Sequence, residues 1–129
     1  MTVEFGHCDP AGMVSPKRLF EYFDTGTWSL FEAALGVKRA DFIATFGILP
    51  LVDVHLDCRK TVKFGDSIEI ASRVAEFRRS SFDVDHRITV GGELAVEGGE
   101  TRVWAARDKN NPDKISALAI PADIIARFG

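Results

Sequence analysis

The sequence predicts an α+β fold in which one antiparallel sheet curls around a single long apolar helix. Three observations carry that expectation. A strong amphipathic helix signal runs from Ser15 to Leu35, the pattern switches to strict alternation after Pro50, and turn-forming stretches at Phe64-Gly65-Asp66, Arg78-Arg79-Ser80-Ser81 and Gly91-Gly92 divide the second half into strands. At 129 residues and 46% apolar content, residues 1–129 suit one domain with one sizeable core.

Thr2 to Phe5 is rich in β-formers and reads as a first strand. It feeds a loop, Gly6-His7-Cys8-Asp9-Pro10-Ala11-Gly12, that opens the helix. Ser15 suits the N-cap and Pro16 the first helical position, where a missing N–H costs nothing. Val14 and Leu19 are spaced as a hydrophobic staple across the start, and Gly36 suits the C-terminal cap. Leu19, Phe20, Phe23, Thr27, Leu30, Phe31 and Ala34 fall on one stripe at the helical period. A further helical turn or two fits Val37 to Phe46, ended by Gly47.

From Leu51 to Val62, Val52, Val54, Leu56 and Cys58 alternate with polar residues, as in a strand with one wet face. Ser67 to Phe77 is the next strand, with Ile68, Ile70 and Val74 on one face. Phe82, Val84, His86, Ile88 and Val90 alternate along the following strand, and Gly91-Gly92 is a hairpin signal. The last strand covers Leu94 to Arg107, with Gly98-Gly99 expected to form a bulge inside it. Asp108 to Asp113 reads as a loop and Pro121 to Phe128 as a short closing helix. A curved sheet of this kind leaves edges and an outer face where a second subunit could pack.

The net charge of −3 supplies no basic field for nucleic acid or an anionic membrane. No apolar run approaches the ~20 residues that span a bilayer, and the N-terminus lacks the charged-then-apolar order of a signal peptide. Two cysteines, Cys8 and Cys58, show neither zinc spacing nor a disulfide framework. A cytoplasmic protein without a metal centre is expected.

Asp9 is the most suggestive residue. A carboxylate just ahead of a helix start lies near unpaired N–H groups, so one small site could hold a nucleophile or base together with an oxyanion pocket. From position alone, an Asx-type turn with Pro10 to Gly12 is the commoner role. Asp24 lies at the seam of the apolar stripe, and Arg78 and Arg79 at a hairpin tip; solvated positions are the usual explanation of both. His86 alternates onto an apolar face, as a core histidine bonded to backbone would. His7 and His55 are weaker candidates for lining a site. Cys8 has no evident base to activate its thiol.

The run from Val3 through Asp24, with Phe5-Gly6-His7-Cys8-Asp9-Pro10-Ala11-Gly12-Met13-Val14 as its core, resembles the hot-dog-fold acyl-CoA thioesterases, in particular those acting on 4-hydroxybenzoyl-CoA. The likeness continues through Phe64-Gly65-Asp66, the segment Glu76 to Phe82 with His86, and Arg102-Val103-Trp104-Ala105. It implies a five-stranded sheet around the helix, paired into dimers or tetramers with active sites at the subunit interface. It implies that Asp9 is the catalytic carboxylate, nucleophile or base, with no metal and no cofactor beyond the CoA of the substrate. By the same resemblance Asp24 meets the phenolic hydroxyl of the acyl group, and Arg78 and Arg79 meet the CoA phosphates.

Two departures bear on the chemistry. Relatives often carry an aromatic residue at Pro16, whose N–H serves the thioester carbonyl; proline has none, leaving Lys17 or the loop around Gly12 as the donor. Relatives have a lysine at Ser80, so one positive charge near the CoA is missing. The competing readings are an aliphatic acyl thioesterase and a non-catalytic acyl-CoA-binding module. A hydratase is disfavoured, since no histidine is placed by the sequence as partner to Asp9.

Overall fold

Local chemistry sets the central helix, α1 (Pro16–Leu35), as the sequence predicts. In the computed structural model, which describes residues 1–111 and 113–128, the Ser15 Oγ accepts the Arg18 N–H at 3.4 Å and Pro16 takes the first position. Gly36 closes the helix at φ 69°, its N–H donating to the Glu32 carbonyl. Val14 and Leu19 are both buried in the same cluster, as a staple requires.

The buried face of α1 is turned slightly from the predicted stripe. Tyr22, Gly26 and Trp28 are buried, whereas Phe20, Leu30 and Ala34 are half-buried. Gly26 gives the reason: a Cβ there would stand 2.3 Å from the Ser72 Oγ, so the helix can lie close to the sheet only with this glycine beneath it. A short helix, α2 (Arg39–Thr45), follows.

Strands β1 (Leu51–Cys58), β2 (Ile68–Phe77), β3 (Ser81–Val90) and β4 (Glu93–Val103) form one antiparallel sheet in the order β1-β4-β3-β2. Gly91 and Gly92 join β3 to β4 with φ of 57° and 84°, the paired positive values a type I′ turn demands. A separate two-stranded sheet pairs β5 (Ala105–Arg107) with β6 (Ile115–Ala117), and α3 (Ala122–Ala126) follows. Pro112, inside the expected loop 108–113, and Gly129 lie outside the described residues.

Several expectations are corrected. The main sheet has four strands rather than five: Thr2 makes a single bridge to Ser67, after which Phe5–His7 close a 3₁₀ turn that lifts the chain off the β2 edge. Gly98-Gly99 is not a bulge, because both residues pair in register with β1 and β3. A Cβ at Gly98 would sit 2.9 Å from the Phe23 ring and 2.2 Å from the His55 carbonyl, so glycine is required by close packing in an unbroken ladder. The final strand divides at Trp104, and the strand expected over Leu51 to Val62 ends at Cys58. Beyond it the Arg59 and Lys60 N–H groups share the Ala95 carbonyl, and Val62 turns to receive the Val14 N–H beside the Asp9 loop. On β1 only Val54 and Leu56 pack against the core; Val52 is 60% exposed and Cys58 is exposed.

Two apolar clusters fill the space between helix and sheet. One surrounds Phe23 at the first half of α1, the other Phe31 at its second half, and a buried polar group around His86, Glu100 and Arg102 is packed into the same interior.

Candidate active site

The Asp9 loop is held by its own backbone. Asp9 Oδ1 accepts from the N–H groups of Ala11 and Met13, both at 3.0 Å, and the loop is pinned further by Asp9 N–H to Met13 O and Gly12 N–H to Asp9 O. This is the Asx-type turn expected from position alone. It engages one carboxylate oxygen; among the described residues Oδ2 receives no hydrogen bond. Gly12 adopts φ 80°, a conformation that suits glycine.

Asp9 lies between two grooves at the helix start. One is lined by His7, Cys8, Asp9, Ser15 and Lys17, with Arg18 and Glu21; the other by Asp9, Met13, Pro16 and Leu19, with residues 58–62. The helix N-terminus offers few free donors. Arg18 N–H goes to the Ser15 Oγ, Leu19 N–H to the Ser15 carbonyl, and Pro16 has none. Among the described residues the Lys17 N–H has no acceptor, whereas the Gly12 N–H is already committed to Asp9 O.

His7 shares the first groove with Asp9. Its Nδ1 accepts the Glu4 N–H at 3.4 Å and lies 2.9 Å from the Tyr22 hydroxyl. A backbone N–H can only donate, so Nδ1 is the acceptor, Tyr22 donates to it, and the neutral ring carries its proton on Nε2. Burial pushes the Tyr22 hydroxyl above the usual tyrosine range, which keeps it a donor. The Cys8 thiol points to the Glu4 carbonyl at 3.5 Å. His55 lies apart, on the outer sheet face among Asp57, Arg73 and Asp85.

Asp24 lines neither groove; it is two turns along α1, and its partners come from distant chain. Arg102 Nη2 donates to its Oδ1 at 2.7 Å, and Arg39, stacked over Trp28, reaches its Oδ2 at 3.4 Å. Arg102 is buried and also donates to Glu100 Oε1 (2.9 Å) and Oε2 (3.2 Å) and to the Leu49 carbonyl (3.0 Å). Glu100 accepts the Thr27 hydroxyl and lies 3.4 Å from His86 Nε2; Ser72 Oγ is 2.7 Å from His86 Nδ1. His86 is therefore a core histidine as expected, but its partners are side chains rather than backbone. Burial pushes the Glu100 carboxyl up, yet the hydrogen bonds of His86, Arg102 and Thr27 outweigh it and hold the group down at about 2. Burial likewise opposes the charge on Arg102, and Glu100 and Asp24 overcome it.

Sequence reading missed this network as a unit. Its signal was present: Glu100 and Arg102 share the strand face of Val96 and Gly98, and two charges on an apolar face must pair.

The two arginines of the hairpin tip differ. Arg78 is tied to Asp83 by two bonds of 2.9 and 2.7 Å, to Glu76 at 3.2 Å and to Ser81 Oγ at 2.9 Å. Arg78 and then Thr101 hold the Asp83 carboxyl at about 2. Arg79 is exposed, and among the described residues its guanidinium has no partner.

With this geometry in view, residues 3–128 match the thioesterase-like superfamily. The chain belongs to that superfamily. It is 30% identical to the 4-hydroxybenzoyl-CoA thioesterase of Pseudomonas sp. strain CBS-3, across 95% of this chain and 90% of that one. The solved structure of the 4-hydroxybenzoyl CoA thioesterase from the same strain superposes with a TM-score of 0.85 at 26% identity, covering 98% of this chain and 94% of the other. A gentisyl-coenzyme A thioesterase structure superposes at 0.84 with 25% identity, covering 97% and 96%. The thioesterase-like chain is thus an acyl-CoA thioester hydrolase with a hot-dog architecture of α+β type. No helix among the described residues is long and apolar enough to cross a membrane.

Proposed function

We propose that the chain hydrolyses an aryl-CoA thioester, with 4-hydroxybenzoyl-CoA or a related hydroxybenzoyl-CoA as substrate, to the free acid and CoA. The observation that carries the reading is the division of labour at Asp9: Oδ1 is spent on the Ala11 and Met13 N–H groups, and Oδ2 is presented beside the start of α1. The two roles expected of Asp9, turn former and catalyst, are therefore compatible.

Oδ2 can act in either of two ways. It attacks the thioester carbonyl, expelling CoA as the thiolate and leaving a mixed anhydride that water hydrolyses, or it takes a proton from a water whose oxygen attacks. Both routes pass through an oxyanion at the former carbonyl. The Lys17 N–H is the donor for it, since Pro16 has none and Gly12 is engaged; the loss of one such donor typically costs about 10²–10³ in rate.

Recognition follows from the remaining residues. Asp24 accepts the hydroxyl of the acyl group, and similarity to thioesterases for two different hydroxylated aryl-CoA substrates supports a hydroxyaryl acyl group. Arg79, whose guanidinium has no partner among the described residues, takes the CoA phosphates, with Arg78 largely occupied by Asp83. The enzyme works in the cytoplasm, in degradation of aromatic acids, with water as sole co-reactant and no metal or added cofactor. It assembles as a homodimer or tetramer in which the exposed β1 edge, with Leu51 and Val52, is covered and completes the site.

The test is CoA release from 4-hydroxybenzoyl-CoA, benzoyl-CoA and a medium-chain acyl-CoA, on the native enzyme and Asp9→Asn. Fast aryl turnover that the substitution abolishes supports the reading. Preference for the medium-chain substrate would replace the aryl assignment with an aliphatic one, and binding without CoA release would replace it with a ligand-binding module.

A further inference from the structure

The two oxygens of Asp24 are treated differently. Oδ1 takes a short 2.7 Å bond from Arg102, a residue only 5% exposed, whereas among the described residues Oδ2 meets only the exposed Arg39 at 3.4 Å, beyond the normal N–H···O range. Arg102 has no freedom to follow Asp24 if it moves. Its Nε and Nη2 grip Glu100, its Nη1 grips the Leu49 carbonyl, and Glu100 is anchored in turn by Thr27, one turn beyond Asp24 on the same helix, and by His86. Four elements of the chain thus converge to fix one guanidinium, whose remaining reach goes to Asp24.

We infer that Arg102 is a positioning residue for substrate selection: held from beneath by Glu100, it clamps Asp24 Oδ1 and turns Oδ2 outward as a fixed acceptor for a hydrogen-bond donor on the acyl group. The inference rests on the reading that Asp24 meets the acyl substituent. Its content is chemical. A carboxylate offers acceptors only, and its donor partner from the interior, Arg102, already directs both Nη2 hydrogens and its Nε to carboxylates and one Nη1 hydrogen to the Leu49 carbonyl. The site therefore favours ring substituents that donate, hydroxyl or amino, and disfavours those that only accept, such as methoxy. Arg39, solvent-exposed and at long range, contributes little to this geometry.

The experiment measures kcat and KM for 4-hydroxybenzoyl-CoA, 4-aminobenzoyl-CoA, 4-methoxybenzoyl-CoA and benzoyl-CoA. The enzymes are the native chain, Asp24→Asn, Arg102→Lys and the double variant Glu100→Leu/Arg102→Met, which removes the buried Glu100–Arg102 pair together, so that neither member is left as a buried unpaired charge, and frees the partly exposed Asp24. The native enzyme should prefer the hydroxy over the unsubstituted substrate by about 10- to 100-fold in kcat/KM, the range for a hydrogen bond to a charged group. The amino substrate should follow the hydroxy one. That ratio should collapse in the double variant and fall in Arg102→Lys, whatever loss the substrates share.

If Asp24→Asn abolishes the preference while both Arg102 variants retain it, or if they lower all substrates equally, Arg102 is a structural staple and the inference is overturned. If neither the native enzyme nor Asp24→Asn distinguishes the substrates, the reading of Asp24 fails and the inference with it. Should the double variant not fold, Arg102→Lys, which keeps a charge beside Glu100, reads the same ratio.

Discussion

Asp9 and Asp24, the two carboxylates to which the proposed function gives roles, are held in opposite ways. Asp9 is exposed and fixed by N–H groups no more than four residues away, so its geometry is written into a short loop. Asp24 is fixed by Arg102, 78 residues distant, through a guanidinium that is itself buried and bound on three sides. A reacting group on a self-sufficient loop can lose its chemistry without disturbing the fold. A recognition group wired into the core cannot be separated from stability.

That contrast can be broken experimentally, beginning where the effect is largest. Asp9→Asn keeps an Oδ1 acceptor for Ala11 and Met13, so the melting temperature should hold while kcat falls by about 10²–10⁴, the usual span of an acid–base group. CoA release and a thermal melt on the same sample read both. Arg102→Met alone should instead destabilise the fold by about 3–5 kcal/mol, because it strands Glu100 as an unpaired buried charge. Urea unfolding measures it, and a cost near zero would show that the network is not held as the structure has it.

Acid should sharpen the same difference. The Glu100 carboxyl is held at about 2 against an ordinary 4.5, so the stability it contributes is complete above pH 4.5 and is lost as the pH falls towards 2. The amount is about 3 kcal/mol, and Glu100→Gln should flatten this limb of a stability–pH profile measured by denaturant unfolding. The smallest expected effect separates Arg79 from Arg78. Arg79→Ala should raise KM for CoA thioesters roughly 5-fold, more at low salt than at high, as loss of one exposed phosphate contact would. Arg78→Ala should change KM less, because its charge is already met by Asp83 and Glu76.

Much of the architecture was legible in the chain because it depends on near neighbours. Ser15, Pro16 and Gly36 bound α1 through hydrogen bonds and backbone angles within a turn, and Gly91-Gly92 makes its hairpin for the same reason. The Asp9 turn is of this kind, and so the candidate reacting residue could be found from a ten-residue motif. Most of the errors fall where distant chain intervenes. Gly98 looked like a bulge and is instead the place where β4 passes beneath Phe23; the first strand was cut to one bridge by the 3₁₀ turn after it; Trp104 divides the last strand.

By itself, then, the sequence determined the helix, the strand alternation, the loop that presents Asp9 and the family to which they belong. Each rests on period or on contacts a few residues long. Only the tertiary structure decided which N–H at the helix start is left free, which of two adjacent arginines is already neutralised, and that Asp24 is gripped by Arg102. Hydrogen-bond capacity is finite: whether a group is available for a ligand depends on what else the fold has brought within 3 Å of it.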